Sequence, residues 1–492
     1  MCIPVSCELS GCQRGDKVPL VHMFNSQGMD FVLDLHTNKL FLLEAAETKV
    51  LQRWLNGEKL SFLSKEYPLE IERIRKLQEQ GLFCCDKPQE LAFQQGWKDL
   101  QKKVTLEREC TIIEITQECN LRCKYCIFGG GFNDRRMHSS KRMSIDLLHK
   151  TIGEALRHGE KSETIFLGLY GGEPLSAFDL VESAVEYANK RSDKSVRFSM
   201  TTNATLLNKK MSRFLKDAEF SVLVSLDGPH WMHDRHRVFA SGRGSYAATI
   251  KGLQVLLDCY GAELQHKIGL NMVVPTDTWI PHLEELWESE PWLPRSIQAR
   301  VSLVDPPRGY VFPKPVLVEK RKSLKEEWFA AIENKEDPPT TLARETFDMP
   351  LARLHQRPIF RNPTASFFPN GCCIPGSRKV YVEVDGTYQI CERVCGAPSI
   401  GSVERGIDLE QIRSIITEYT NQSFQDCRLC WAVSNCTLCF EHAYKDGRFN
   451  MNKKRKACLV MKESLSSQLK LYGLISQKYP HKLAEWESIE IG

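Results

Sequence analysis

The 492-residue sequence predicts an α/β fold: a partial (β/α)6 barrel, with a small winged-helix-like domain before it and a cysteine-dense domain after it. Three observations predict this. Strand-like and helix-like runs alternate strictly over residues 109–304. Three strand-like runs and then three helix-like runs fill residues 18–86. Most of the 19 cysteines fall in spaced groups, the mark of metal ligation.

Composition narrows the class. With 42% hydrophobic and 26% charged residues the chain reads as an ordinary globular protein. No stretch has the apolar length of a membrane span, and MCIPVSCELSGCQRGDKVP lacks the basic start and apolar core of a secretory signal. A cytoplasmic location is therefore expected. In that reducing compartment cysteines do not form a disulfide framework. The net charge of +4 does not point to nucleic acid. The run Lys453, Lys454, Arg455, Lys456 reads as a solvated face.

Residues 1–17 read as a loose tail whose Cys2, Cys7 and Cys12 are incidental thiols. In residues 18–86, Val18 to Asn25, Gly28 to His36 and Leu40 to Leu43 form a meander. Helices over 48–55, 60–66 and 69–80 follow, with Val50, Leu51, Trp54 and Leu55 on one face of the first. Residues 87–108 read as a charged linker.

The barrel strands are expected at 111–116, 164–170, 196–202, 220–226, 268–274 and 297–303. Helices fit at 144–158, 176–191, 207–217, 245–259 and 279–288, the first capped by Ser144. Such repeats imply a parallel sheet with right-handed crossovers. Six fall short of the eight that close a barrel, leaving an open side for a large substrate. Residues 305–370 read as a bridge, 371–460 as a cysteine-rich domain that metals must organise, and 461–492 as a terminal helix and tail.

The chemistry begins just after the first barrel strand. Cys119, Cys123 and Cys126 stand in CxxxCxxC, three soft thiolates on one short loop. Structural zinc takes four protein ligands, whereas a cubane held by three thiolates leaves one iron open. With Tyr125 just before the third cysteine, this spacing resembles the radical S-adenosylmethionine (SAM) superfamily. The resemblance implies a cluster that passes an electron to bound SAM and yields a 5′-deoxyadenosyl radical. Later strand ends resemble the same superfamily: Tyr170-Gly171-Gly172-Glu173 for the SAM amino group, Asn203 for the ribose, and Ser225 with Arg237 for the carboxylate.

Cys373, Cys391 after Gly386, then Cys427, Cys430, Cys436, Cys439 and Cys458 resemble the SPASM domain with its two auxiliary clusters. The family's CxxCx5CxxxC is one residue shorter here in its last gap. The resemblance assigns Cys427, Cys430, Cys436 and Cys458 to the outer cluster and Cys373, Cys391 and Cys439 to the inner one. The inner cluster's fourth ligand is Cys372, Cys395 or an open iron for a substrate thiolate. Two zinc knuckles are the alternative for this domain. Glu392 stands where some relatives carry an acid near substrate, a candidate general base that could equally be solvated or salt-bridged.

The run Phe31 to Phe41 resembles the recognition element of ribosomal peptide pathways, which binds a leader peptide as an added strand. Arg136 to Ser144, His233 to Phe239 and Cys373 to Gly376 resemble maturases of cysteine-rich peptides, among them the thioether-forming sactipeptide and ranthipeptide enzymes. His138 and Lys141 read as solvent-facing loop residues, with contact to SAM or peptide as the alternative. The resemblance implies three [4Fe–4S] clusters, SAM, a precursor peptide captured by residues 18–86, and an electron donor such as flavodoxin or ferredoxin. The expected reaction is thioether closure. Carbon–carbon cross-linking, epimerisation, sulfatase-type formylglycine formation and a non-catalytic cluster protein are the alternatives.

Overall fold

The computed structural model describes residues 17–490 except 92–96, 107, 109, 130–135, 159–161, 275–276, 304–323, 339, 362, 364–365, 368–370 and 395. Cys2, Cys7, Cys12 and Cys395 lie outside the described residues.

The front segment folds in the order its pattern dictates. Strands β1 (Val21–Ser26), β2 (Met29–Asp34) and β3 (Leu40–Leu43) pair antiparallel as a meander. Asp34, fully buried, fixes the β2–β3 turn by accepting from Thr37 N at 2.8 Å and Thr37 Oγ1 at 2.7 Å. Its other oxygen accepts from Phe83 N at 2.9 Å, which ties the turn to the end of the helical half. Helices α1 (Ala45–Leu55), α2 (Leu60–Leu63) and α3 (Pro68–Glu79) follow. Pro68 suits the first turn of α3, where its missing N–H costs nothing. Val50, Leu51 and Trp54 face Val32, Leu63, Ile71 and Ile74 in a separate small core.

This unit is docked on the C-terminal half. Asn38, in the left-handed region at φ 59°, exchanges amide hydrogen bonds with Asn435. His22 stacks on Trp431 with ring centroids 3.9 Å apart.

The connector is more ordered than its charge suggests. Strand β4 (Glu90–Leu91) leads to α4 (Trp97–Leu106), whose Leu100 and Val104 are buried one turn apart. The lysines around that narrow stripe hide it in the sequence.

The barrel strands are β5 (Cys110–Thr116), β6 (Thr164–Gly171), β7 (Ser195–Thr202), β8 (Ser221–Ser225), β9 (Ile268–Val274) and β10 (Gln298–Leu303), all parallel. Their helices include α5 (Ile145–His158), α6 (Phe178–Arg191), α7 (Lys209–Asp217), α8 (His230–His236) and α9 (Tyr246–Leu264). Ser144 Oγ accepts from Leu147 N at 3.2 Å, the cap expected there.

The sheet does not stop at six strands. After β11 (Ser366–Phe367), which pairs with β4, strand β12 (Lys379–Val382) joins β5 in parallel and β13 (Tyr388–Gln389) follows antiparallel. The order is β10-β9-β8-β7-β6-β5-β12-β13. Four residues of β12 carry too little periodicity to reveal this from sequence.

Two long helices, Leu409–Cys427 and Met451–Lys478, frame the cysteine-rich region. The second begins at Met451, before the expected 461, because Asn450 Oδ1 caps it by accepting from Lys453 N at 2.8 Å. Among the described cysteines Cys84 is in a disulfide and the others are free. No helix of the described residues is long and apolar enough to cross a membrane.

Candidate functional site

The CxxxCxxC loop leaves β5 at the C-terminal end of the sheet, where parallel strands present their chemistry. It is clamped by the end of β6. Gly172 N donates to Thr116 O at 2.9 Å and Glu173 N to Glu118 O at 2.7 Å. A Cβ on Gly171 would overlap Thr116 O, and one on Gly172 would overlap Glu118 O. Gly171 also sits at φ 153°. The paired glycines thus admit the cluster loop's own backbone. Gly171→Ala is expected to cost about 2–4 kcal/mol and to lower iron incorporation. Thermal unfolding and iron assay of the purified variant check this.

The three thiols are partly covered and act on one another electrostatically. Burial pushes Cys119 and Cys123 up to about 12 and raises Cys126. Thiols so placed stay protonated until a metal takes the proton's place. Leu121 N donates to Cys119 Sγ at 3.4 Å, and Arg237 Nη1 lies 4.0 Å from Cys123 Sγ. His138 Nε2 lies 3.6 Å from Cys126 Sγ, so His138 faces the cluster loop and not solvent alone. Among the described residues no group of three or more His, Cys, Asp or Glu converges as one metal ion requires. A cubane, whose protein thiolates go to separate irons, needs no such convergence.

Behind Cys123 stands a buried network. Asp227, at the end of β8, accepts from Arg237 Nε at 2.8 Å, from Val273 N at 3.0 Å and from the Tyr125 hydroxyl. Burial works against the Arg237 cation, yet the Asp227 carboxylate outweighs it and holds the guanidinium protonated. Glu173 is equally enclosed. It accepts from Thr202 Oγ1 at 2.6 Å, Asn203 N at 2.7 Å and Leu175 N at 3.1 Å. Burial raises its pKa. Asn203 in turn donates to Asn120 Oδ1 at 2.9 Å, beside Cys119.

The downstream cysteines gather in two sets. Cys373 lies within electrostatic range of Cys391 and Cys439. Cys427, Cys430, Cys436 and Cys458 form the second set. Cys372 is buried between them, its thiol 3.5 Å from Leu438 O and near Cys439, Cys436 and Cys373.

Comparison with known proteins decides the class. The Radical SAM superfamily profile matches residues 113–281, which span β5 to β9 and every residue of the loop just described. The chain carries a radical SAM domain. It is 30% identical over 144 residues to a cysteine-type anaerobic sulfatase-maturating enzyme of Clostridium novyi, covering 29% of this chain and 38% of that one. It is 26% identical over 175 residues to the radical SAM cyclopropyl synthase TigE of Paramaledivibacter caminithermalis, covering 34% and 35%. The chain thus spans little more than a third of either relative. Native anSMEcpe with bound AdoMet shares the fold: TM-score 0.53, 17% identity, 77% of this chain and 100% of that one. The radical SAM domain makes the chain an enzyme.

Several of the predicted residues of the radical SAM domain lie together at the loop. Glu173, Asn203 and the Cys119 end of the loop are linked by hydrogen bonds, and Arg237 reaches Cys123. Ser225 is buried at the end of β8, and Tyr170 meets Tyr381 edge-on at 6.1 Å. Glu392 is held apart from them in a salt bridge, both oxygens accepting from Lys379 Nζ at 2.9 and 2.8 Å.

Sequence reasoning missed the roles of Asp227 and of Glu114. The signal for Asp227 was an acid at a strand end ten residues before a basic one. Glu114 is fully buried beneath the loop, pairs with Arg136 and accepts from Tyr381 Oη at 2.8 Å and Gln117 Nε2 at 3.1 Å. Nearby, burial and then the Glu114 carboxylate push Glu383 up to about 7 from 4.5. Between those values the unfolded chain has lost a proton that the folded chain keeps, so stability falls as pH rises. Glu383→Gln is expected to remove that fall, at most roughly 3 kcal/mol. Unfolding measured from pH 4 to 8 checks it.

Proposed function

We propose that this chain is a peptide-modifying radical SAM enzyme with three [4Fe–4S] sites that closes thioether bridges in a ribosomally made precursor. The observation that carries the reading is the thiol distribution: three on the barrel-mouth loop and two further sets in the C-terminal region.

Cys119, Cys123 and Cys126 would hold the SAM cluster. When bound, cluster and SAM supply a 5′-deoxyadenosyl radical that takes hydrogen from an unactivated carbon. Glu173 can serve the SAM amino group although three donors already bind it, because two carboxylate oxygens offer about four acceptor sites. Arg237 spends Nε on Asp227 and directs Nη1 toward Cys123 Sγ, which still leaves N–H groups that can bind a carboxylate. Cys373, Cys391 and Cys439 would hold the inner auxiliary cluster, with Cys372 beside them as a candidate fourth ligand. Cys427, Cys430, Cys436 and Cys458 would hold the outer one.

The front domain suits a winged-helix-like peptide-recognition element. Strand β3 is one of the two edge strands of its sheet, and a cavity of about 310 Å³ opens beside it against α3. Leu40, Leu42, Leu51, Ile74, Leu77 and Phe83 line it. A leader peptide added to β3 would gain main-chain hydrogen bonds and a pocket for an apolar side chain.

Bridge formation removes two hydrogens, one as an atom that would pass to the 5′-deoxyadenosyl radical and one as a proton, while the remaining electron would pass to an auxiliary cluster. Reconstituted enzyme with SAM, dithionite and a cysteine-containing peptide encoded beside it should give 5′-deoxyadenosine and a product lighter by two hydrogens per bridge, sulfur retained. Unchanged peptide mass with intact clusters overturns cross-linking. The sulfatase-maturating relatives favour formylglycine formation as a second reading. There the product would have exchanged its cysteine sulfur for oxygen.

A further inference from the structure

The basic run Lys453 to Lys456 is not uniformly solvated. Lys454 is 2% exposed. Its Nζ donates to Cys427 Sγ at 3.2 Å and lies 5.4 Å from the Tyr419 ring centroid. After the cost of burial, the groups acting on it are Cys427, Cys458 and Cys436. Its placement is enforced from both sides. Asn450 caps the helix one turn earlier, and Arg455 forms a two-pronged pair with Asp426, the neighbour of Cys427, at 2.7 and 3.1 Å.

An ammonium removed from water costs several kcal/mol unless an anion faces it. Asp426, the acid beside Cys427, is in range of Lys454 but is engaged by Arg455. The partners in contact are thiols, and thiols become anions when they bind metal. We propose that Lys454 is a positioning residue for the outer thiol set, whose N–H···S bond to Cys427 and fixed charge raise the reduction potential of the cluster bound there. An added electron spreads onto the cluster sulfurs, so a nearby cation stabilises the reduced form. This rests on the reading that Cys427, Cys430, Cys436 and Cys458 hold an iron–sulfur cluster.

The test uses the full chain, reconstituted with iron and sulfide, carrying alanines at Cys119, Cys123 and Cys126 to remove that cluster's signal. Redox titration followed by electron paramagnetic resonance compares Lys454 with Lys454→Met and Lys454→Arg. Lys454→Met should retain iron but lower the reduced-to-oxidised ratio of one auxiliary cluster roughly tenfold at fixed potential, about 59 mV for one electron. Lys454→Arg should recover most of it. Should Lys454→Met lose its iron, Lys454→Gln keeps an N–H donor without the charge and is judged by the same shift. An unchanged potential with full iron overturns the inference alone. Zinc in place of iron, or one auxiliary signal where two are expected, overturns the three-cluster reading and the inference with it.

Discussion

Replacing Cys119, Cys123 and Cys126 together by alanine is expected to abolish SAM cleavage and lower iron by about four atoms per chain, while the auxiliary signals remain. The expectation follows from where the thiols lie. All three belong to one loop, held by backbone bonds from Gly172 and Glu173 that do not depend on the cysteine side chains. The loop should therefore keep its path without them. The downstream thiols sit on other segments, framed by helices Leu409–Cys427 and Met451–Lys478, and keep their own ligands. 5′-Deoxyadenosine formed with SAM and dithionite, together with iron content, reads both effects. Cleavage surviving in the triple variant would remove the loop from the chemistry.

Asp227→Ala is expected to destabilise the chain by about 3–5 kcal/mol and to weaken SAM binding. Three donors converge on this carboxylate: Arg237 Nε, Val273 N and the Tyr125 hydroxyl. Arg237 is 7% exposed and Tyr125 6%, so neither can turn to water when the acceptor goes. The charge matters more than the hydrogen bonds, because a lone buried guanidinium is the costly remnant. Arg237→Leu in the same chain should therefore recover much of the lost stability without restoring SAM affinity. Urea unfolding and SAM titration of the single and double variants separate the two effects. A double variant no more stable than Asp227→Ala would show that the pair does not carry the cost.

The barrel was legible because each strand is a short apolar run between turn residues and each helix shows a 3.6-residue stripe. The expected strand at 268–274 and the observed Ile268–Val274 coincide, and Ser144 caps its helix as its residue type suggests. The front meander and its helices were legible for the same reason, Trp54 and Val50 lying on one buried face. The grouping of the three loop cysteines shows in their spacing, since they are close in the chain. What escaped depends on contacts between distant segments. Nothing near Asp227 announces that Tyr125, over a hundred positions earlier, will lie against it. Lys454 looks like its basic neighbours until Cys427 is brought to it across two helices. The helix at 97–106 was obscured because two buried residues among many charges make a weak stripe.

Strand β12 comes from beyond residue 370 yet lies against β5, the strand that runs directly into the cysteine loop. Cut out by itself, the segment 109–304 would expose the main-chain amides and carbonyls of β5 to any chain able to pair with them, and would invite aggregation. The C-terminal region is thus the missing wall of the barrel as well as a cysteine-rich module. Deleting it to study radical generation in isolation would damage the strand that presents Cys119. Heritable loss of that region would accordingly forfeit both parts at once, which binds the two into a single selectable unit.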